Sequence, residues 1–68
     1  MEKVQIVTEF IKLEQLMKLA GMVGSGAEAK IMIGEGKVLV NGNVESRRGK
    51  KLRPGDKVEF EEKNYLIE

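Results

Sequence analysis

Four cationic side chains fall within five consecutive residues of this chain: Arg47, Arg48, Lys50 and Lys51, with Gly49 between them. No acidic residue separates them, so the four charges repel one another, a cost that a purely structural turn has no need to carry. Guanidinium and ammonium groups at this density are suited to binding phosphate. A solvated surface turn is the alternative interpretation. We call residues 47–51 the basic loop and treat it as the principal candidate site.

The usual general base of catalysis near neutral pH is missing, because the chain contains no histidine, and it contains no cysteine either. Ser25 therefore has no histidine to activate it as a nucleophile. A metal ion would find only carboxylate and carbonyl oxygens as ligands. No apolar run approaches the roughly 20 residues that span a bilayer, and the lack of cysteine gives no indication of secretion. We predict a cytoplasmic protein that is not an enzyme, has no cofactor or metal, and does not insert into membranes.

The formal net charge of +1 conceals an uneven distribution of charge along the chain. Residues 12–53 carry nine lysines or arginines against four glutamates, a net charge of +5. The flanking segments are acidic, at −1 for residues 1–11 and −3 for residues 54–68. A basic segment between acidic flanks is typical of a protein with a polyanionic partner, even where the total charge is small.

Two helices are predicted on the N-terminal side of the basic loop. Four apolar residues follow the spacing of one helical face and predict a helix over residues 13–20: Leu13, Leu16, Met17 and Ala20. Ser25 and Glu28 have the spacing of a capping box, in which the side chain of each residue accepts a hydrogen bond from the backbone amide of the other. This box predicts a second helix over residues 26–35.

Short strands are predicted around the helices. Alternation over residues 3–8 indicates a first strand, and Asn41-Gly42 between apolar residues predicts a type I′ hairpin. Pro54-Gly55 fits a type II turn. We predict an α+β domain spanning residues 1–68, with two antiparallel helices packed on a small, mostly antiparallel sheet of four or five strands. Its core motif covers residues 12–60, framed by paired strands at 3–8 and 64–67.

Several short motifs occur together between Lys12 and Phe60. They are a helix ending in Ala-Gly, Ser before Glu-Ala-Lys, Glu-Gly-Lys-Val, Val-Asn-Gly, the basic loop and Pro-Gly-Asp. In combination they resemble the RNA-binding domain with an αL motif first described in ribosomal small-subunit protein four. The chain is most similar to the small stand-alone bacterial members of that family, the YaaA/YbcJ type.

The resemblance implies that RNA contacts the two helices and the loops beside them. The positions that match the family's binding pattern are Lys12, Ser25, Lys30, Lys37, Arg47, Arg48, Lys50 and Lys51. The chain departs from the pattern at Gly26, where the family often has arginine. The implied partner is a structured RNA, ribosomal or similar to transfer RNA, bound by a monomer that is free or part of a ribosome or other ribonucleoprotein.

The aromatic residues indicate whether the expected RNA is single-stranded or folded. Phe10, Phe60 and Tyr65 are the only three, and each lies in an apolar context that predicts burial. Proteins that bind single strands stack bases on exposed rings, so the chain favours folded RNA recognised by shape and phosphate position. Two other functions stay open at this point: DNA binding through the same basic residues, and a protein-binding adaptor that docks on a larger nucleic-acid machine through its acidic C-terminal segment.

Overall fold

The computed structural model describes all 68 residues. The elements are β1 (Glu2–Val4), β2 (Ile11–Lys12), α1 (Leu13–Leu19), α2 (Gly26–Gly34), β3 (Val38–Val40), β4 (Asn43–Val44), β5 (Lys51–Leu52), β6 (Lys57–Phe60) and β7 (Lys63–Ile67). Five strands form one sheet in the order β1-β7-β6-β3-β4, and all neighbours are antiparallel except β1 and β7. The predicted α+β class, with two helices and a mostly antiparallel sheet, is confirmed.

A second sheet, which the sequence analysis did not predict, joins β2 to β5. Ile11 lies opposite Leu52 and Lys12 lies opposite Lys51 in an antiparallel pair. Each strand has only two residues, too few to leave an alternation in the sequence. Strand β2 continues directly into α1, so this two-stranded ribbon is fixed to the start of the helix.

The core consists of 13 buried residues, all hydrophobic. The helices and the turn between them contribute Leu13, Leu16, Met17, Val23, Ala29 and Ile33. The strands contribute Val38, Val40, Leu52, Val58, Phe60, Tyr65 and Ile67. Leu52 is fully buried and ties the end of the basic loop to this core. Phe10, which we expected in the core, is only half-buried.

The first strand is shorter than predicted. It pairs with β7 as far as Val4 opposite Ile67, and the expected continuation to Thr8 is wrong. Past this pair the two segments share only two backbone hydrogen bonds, from the Glu68 amide to the Val4 carbonyl and from the Ile6 amide to the Glu68 carbonyl, each at 2.9 Å. Val7 lies beyond the paired residues and is fully exposed. Apolar alternation in the sequence does not extend a strand that has no partner.

The start of α2 differs from the predicted capping box in one bond. Ser25 Oγ accepts a hydrogen bond from the Glu28 amide at 3.1 Å, as expected for an N-cap. The Glu28 carboxylate accepts from the Gly24 amide at 2.8 Å, and not from the Ser25 amide. A Cβ added at Gly24 would lie 3.7 Å from Glu28 Oε1, an ordinary van der Waals contact, so this bond does not require glycine at position 24.

Two tight hairpins have the same backbone geometry but different residues. Asn41 and Gly42 have φ of 50° and 86° between the paired Val40 and Asn43, which confirms the type I′ turn. Glu61 and Glu62 have φ of 51° and 66° in the equivalent turn between β6 and β7. A side chain with a Cβ is strained at positive φ, so the second turn is less favourable than the first.

Replacing both strained residues, Glu61→Asn with Glu62→Gly, is expected to raise the free energy of unfolding by about 1–2 kcal/mol. The reason is that Asn-Gly adopts the type I′ turn with little strain. Urea unfolding followed by circular dichroism measures the change. The control variant Glu61→Gln with Glu62→Gln removes the same two charges without relieving the backbone. Equal stabilisation of both variants would show that charge, and not strain, limits this turn.

Candidate nucleic-acid interface

The main chain of the basic loop is bonded to the first turn of α1. The Leu13 amide donates to the Lys50 carbonyl at 2.9 Å, and the Glu14 amide donates to the Arg48 carbonyl at 3.1 Å. The first amides of a helix have no acceptor within the helix. The basic loop supplies these acceptors, so its backbone, and the Cβ atoms of its cationic residues, hold fixed positions relative to α1.

The ribbon beside the basic loop places two lysines opposite each other. Ile11 packs against the core and Leu52 is buried within it, so the alternation of each strand turns Lys12 and Lys51 outward. Like charges directly across a strand pair are destabilising. Neither lysine forms an ion pair within the protein. An anion bound at this face would relieve the repulsion.

An open groove of about 430 Å³ lies along the basic loop. Its lining contains no hydrophobic residue and consists of Arg47, Gly49, Lys50, Lys51 and Arg53. We call it the basic groove. Arg53 lines this groove but was not among the contacts predicted from the sequence. The available signal was the alternation Lys51-Leu52-Arg53, in which a buried central residue places both cations on the same side of the chain.

Two carboxylates from outside the basic loop compensate half of its cations. Arg47 binds Glu45 through Nε to Oε2 at 3.0 Å and Nη2 to Oε1 at 3.2 Å. Arg48 Nη1 lies 3.9 Å from Glu14 Oε2. The expected uncompensated repulsion is therefore wrong for both arginines. Lys50 and Lys51 have no such partner and keep their charges unpaired.

The Glu45–Arg47 pair is the strongest electrostatic contact at the site. Hydrogen bonds from the Arg47 side chain and amide lower the pKa of Glu45 to about 2. The same side-chain hydrogen bond raises the pKa of Arg47. Only 12% of the Glu45 side chain is exposed, whereas 69% of the Arg47 side chain is. The guanidinium therefore keeps one side open to an external anion while the carboxylate fixes the other.

The backbone of Arg53 is held in place by a turn and by the carboxylate of Asp56. The Asp56 amide donates to the Arg53 carbonyl at 2.9 Å, and Gly55 has φ of 100°, which confirms the type II turn. Asp56 accepts from the Arg53 amide at 2.8 Å and from Asn41 Nδ2 at 3.1 Å. Burial raises the pKa of Asp56, but these hydrogen bonds and the charges of Lys50 and Arg53 together outweigh it and leave the pKa below its ordinary value.

Five of the eight predicted contacts do not line the basic groove. Two of them, Lys12 and Arg48, lie on the ribbon and the basic loop beside it, and the other three lie on neither. The Ser25 hydroxyl caps α2, Lys30 is exposed on α2 without an ion pair, and Lys37 lies 3.4 Å from Glu35. The structure brings Lys12 beside the basic loop through the ribbon, and does not bring these three into the groove. Their role in binding stays a prediction.

A cation lies near Gly26, the position at which the sequence departs from the family pattern. The Lys18 ammonium is 4.0 Å from the place where a Cβ on Gly26 would be. Glu14 has the helical spacing to pair with Lys18, but it lies against Arg48 instead. Lys18 is therefore left without an ion pair at the beginning of α2.

The family model of the S4 domain matches residues 4–68 of this chain. The chain belongs to the S4 domain family. This confirms the resemblance inferred from the motifs between Lys12 and Phe60. The helices, sheet and basic loop described above are therefore those of an S4 domain, and they can be compared with relatives of known name and structure.

The relatives include two bacterial proteins of similar length. The chain is 48% identical over 58 residues to the probable ribosome maturation protein RlbA of Bacillus subtilis, covering 85% of this chain and 82% of that protein. It is 48% identical over 50 residues to the putative RNA-binding protein YbcJ of Escherichia coli, covering 74% and 71%. The solution structure of Escherichia coli YbcJ, described as having an αL motif involved in RNA binding, superposes with a TM-score of 0.74. That match has 37% identity and covers 98% of this chain and 86% of YbcJ.

Neither a cluster of metal ligands nor a membrane-spanning helix is present in the structure. Its aspartates and glutamates form no group of three that could hold a metal ion. Neither of its helices, of seven and nine residues, is long and apolar enough to cross a membrane.

The pH dependence of the Glu45–Arg47 pair can be tested directly. Because its pKa of about 2 lies below the ordinary 4.5, the contribution of Glu45 to stability is complete above about pH 4.5 and is lost as the pH falls towards 2. An Arg47→Gln substitution is expected to return the pKa of Glu45 towards 4.5 and to flatten this loss. NMR titration of the side-chain carboxyl, with urea unfolding at each pH, measures both effects.

The control for this titration is Arg48→Gln, which removes the same charge from the neighbouring residue. It is expected to leave the pKa of Glu45 near 2, because Arg48 pairs with Glu14. If Glu45 of the unsubstituted protein titrates at its ordinary value, the hydrogen bonds from Arg47 do not persist in solution.

Proposed function

We propose that this chain binds folded RNA, without catalysing a reaction, through the basic groove and the ribbon beside it. The observation that carries the proposal is the convergence of Arg47, Lys50, Lys51 and Arg53 on one open groove with no apolar lining. Cations gathered on one surface attract a polyanion and release its condensed counterions when they replace them. The proposal treats residues 1–68 as one binding unit, since β1 and β7 complete the sheet around the core motif.

The unpaired cations are the main phosphate contacts in this proposal. Lys50, Lys51, Arg53 and Lys12 form no ion pair, so no internal bond has to break before they bind phosphate. Arg47 differs, because Glu45 orients its guanidinium and leaves the remaining N–H groups for an external oxygen. Arg48 contributes mainly through its carbonyl, which holds the loop on α1.

The names of the relatives support an RNA partner associated with the ribosome. One relative is named as a ribosome maturation protein, and another as an RNA-binding protein whose αL motif is involved in that binding. Phe60 and Tyr65 are buried, and the half-buried Phe10 ring lies against Lys51 and Arg53, so the chain has little aromatic surface for stacking single-stranded bases. We therefore propose structured ribosomal RNA, or RNA similar to transfer RNA, bound by one copy of the chain. Ser25, Lys30 and Lys37 would contact a larger RNA beyond the groove.

The affinity for an RNA hairpin is expected to fall steeply with salt. If about five phosphates are engaged, the logarithm of the affinity should change with the logarithm of the salt concentration at a slope of about −3.5 to −4.5. Fluorescence anisotropy with a labelled hairpin at several potassium chloride concentrations gives the slope. A flat response would contradict phosphate binding. A DNA hairpin of the same sequence is the comparison, and equal affinity would show that the site does not detect the 2′-hydroxyl.

Removing the three unpaired cations of the basic groove tests its location. The variant Lys50→Ala, Lys51→Ala, Arg53→Ala is expected to weaken RNA binding by about tenfold or more and to reduce the salt slope by about 2–3. These side chains are not part of the core, so the thermal midpoint should change little.

The matched control is Lys3→Ala, Lys57→Ala, Lys63→Ala, which removes three exposed lysines of the large sheet and changes the net charge equally. It should bind the RNA hairpin nearly as the unsubstituted protein does. Equal losses in the two variants would mean that total charge governs binding and that the groove has no special role. Undiminished binding by the groove variant would place the site elsewhere.

A further inference from the structure

Phe10 lies against two of the unpaired cations of the basic groove. The Lys51 ammonium is 4.9 Å from the centroid of the Phe10 ring, and the Arg53 guanidinium carbon is 5.8 Å from it. Both distances fall within the range at which the face of an aromatic ring attracts a cation. Phe10 is half-buried, while the other two aromatic residues are buried in the core.

The register of the ribbon explains this arrangement. Lys12 lies opposite Lys51 and Ile11 lies opposite Leu52, so Phe10, the residue just before β2, comes to the level of Arg53. Side chains alternate between the two faces of a strand. Ile11 and Leu52 face the core, which turns the ring and the cations to the other face. The contact thus follows from the backbone pairing.

A ring holds a cation in a different way from a carboxylate. Glu45 fixes Arg47 but also compensates its charge. Phe10 attracts Lys51 and Arg53 through its quadrupole and carries no charge, so both cations keep their full charge for an external anion. Long side chains lose conformational freedom when they bind, and a side chain that is already held loses less.

We propose that Phe10 is a positioning residue for RNA binding, which orders Lys51 and Arg53 so that they meet phosphate groups at a defined separation. This inference rests on the proposed function and adds a residue that the charge pattern alone does not reveal. The ring acts through the two cations and does not itself contact the RNA.

The test compares Phe10→Leu, which keeps apolar bulk without a ring, with Phe10→Tyr, which keeps the ring. Phe10→Leu is expected to weaken binding of the RNA hairpin by about three- to tenfold, and Phe10→Tyr by less than about twofold. In a background carrying Lys51→Ala and Arg53→Ala, Phe10→Leu is expected to cause no further loss. Thermal unfolding of each variant checks that the fold is retained.

An NMR measurement on the unsubstituted protein is independent of any variant. The ring current of Phe10 should shift the ε-methylene protons of Lys51 upfield in the free protein. Phe10→Leu should abolish this shift. Its absence from the unsubstituted protein would overturn the proposal even if Phe10→Leu did not fold.

The outcomes separate this inference from the proposed function. If Phe10→Leu binds normally while the groove variant at Lys50, Lys51 and Arg53 binds weakly, the positioning role is overturned and RNA binding stands. If the groove variant also binds normally, the proposed function fails. If Phe10→Leu weakens binding even without Lys51 and Arg53, the ring contacts RNA directly, which also overturns the positioning role.

Discussion

The hydrogen bonds between the basic loop and the start of α1 hold the candidate site together. A loop with several cations tends to expand, since its charges repel one another. Here the carbonyls of Lys50 and Arg48 accept the free amides of Leu13 and Glu14, and the buried Leu52 anchors the strand that follows. One set of contacts therefore completes the helix and opposes the repulsion in the loop. The arrangement of cations depends on this backbone attachment more than on any single ion pair.

The cations of the candidate site have three kinds of environment. Arg47 and Arg48 are paired with carboxylates, Lys50 and Lys12 are unpaired, and Lys51 with Arg53 lies against an aromatic ring. Charge compensation orders a side chain but lowers its attraction for an external anion, whereas an unpaired side chain keeps its charge and its conformational freedom. The aromatic contact orders the two side chains without compensating their charge. A surface that combines the three can be both defined in shape and strongly cationic.

Local signals in the sequence predicted the features that depend on a few neighbouring residues. Asn41-Gly42 predicted its turn because both residues tolerate positive φ, and Ser25 predicted the start of α2 because its hydroxyl caps a nearby amide. The two-residue ribbon and the exposure of Phe10 were not predicted. Each depends on the pairing of segments far apart in the chain, and the register of that pairing has no local signal. The candidate residues of the basic loop were identifiable from charge, but their carboxylate partners and Arg53 required the fold.

The parallel pairing of β1 with β7 has a consequence for the order of folding. Glu2 lies beside Tyr65 although 63 positions separate them in the chain. Closing so long a segment costs conformational entropy before any contact compensates it. The helices and the two hairpins close short segments and can form early, so β1 is the strand whose docking depends on all the others. During synthesis β1 must stay unpaired until β7 has left the ribosome. The edge strand β1 is therefore the last to join the sheet.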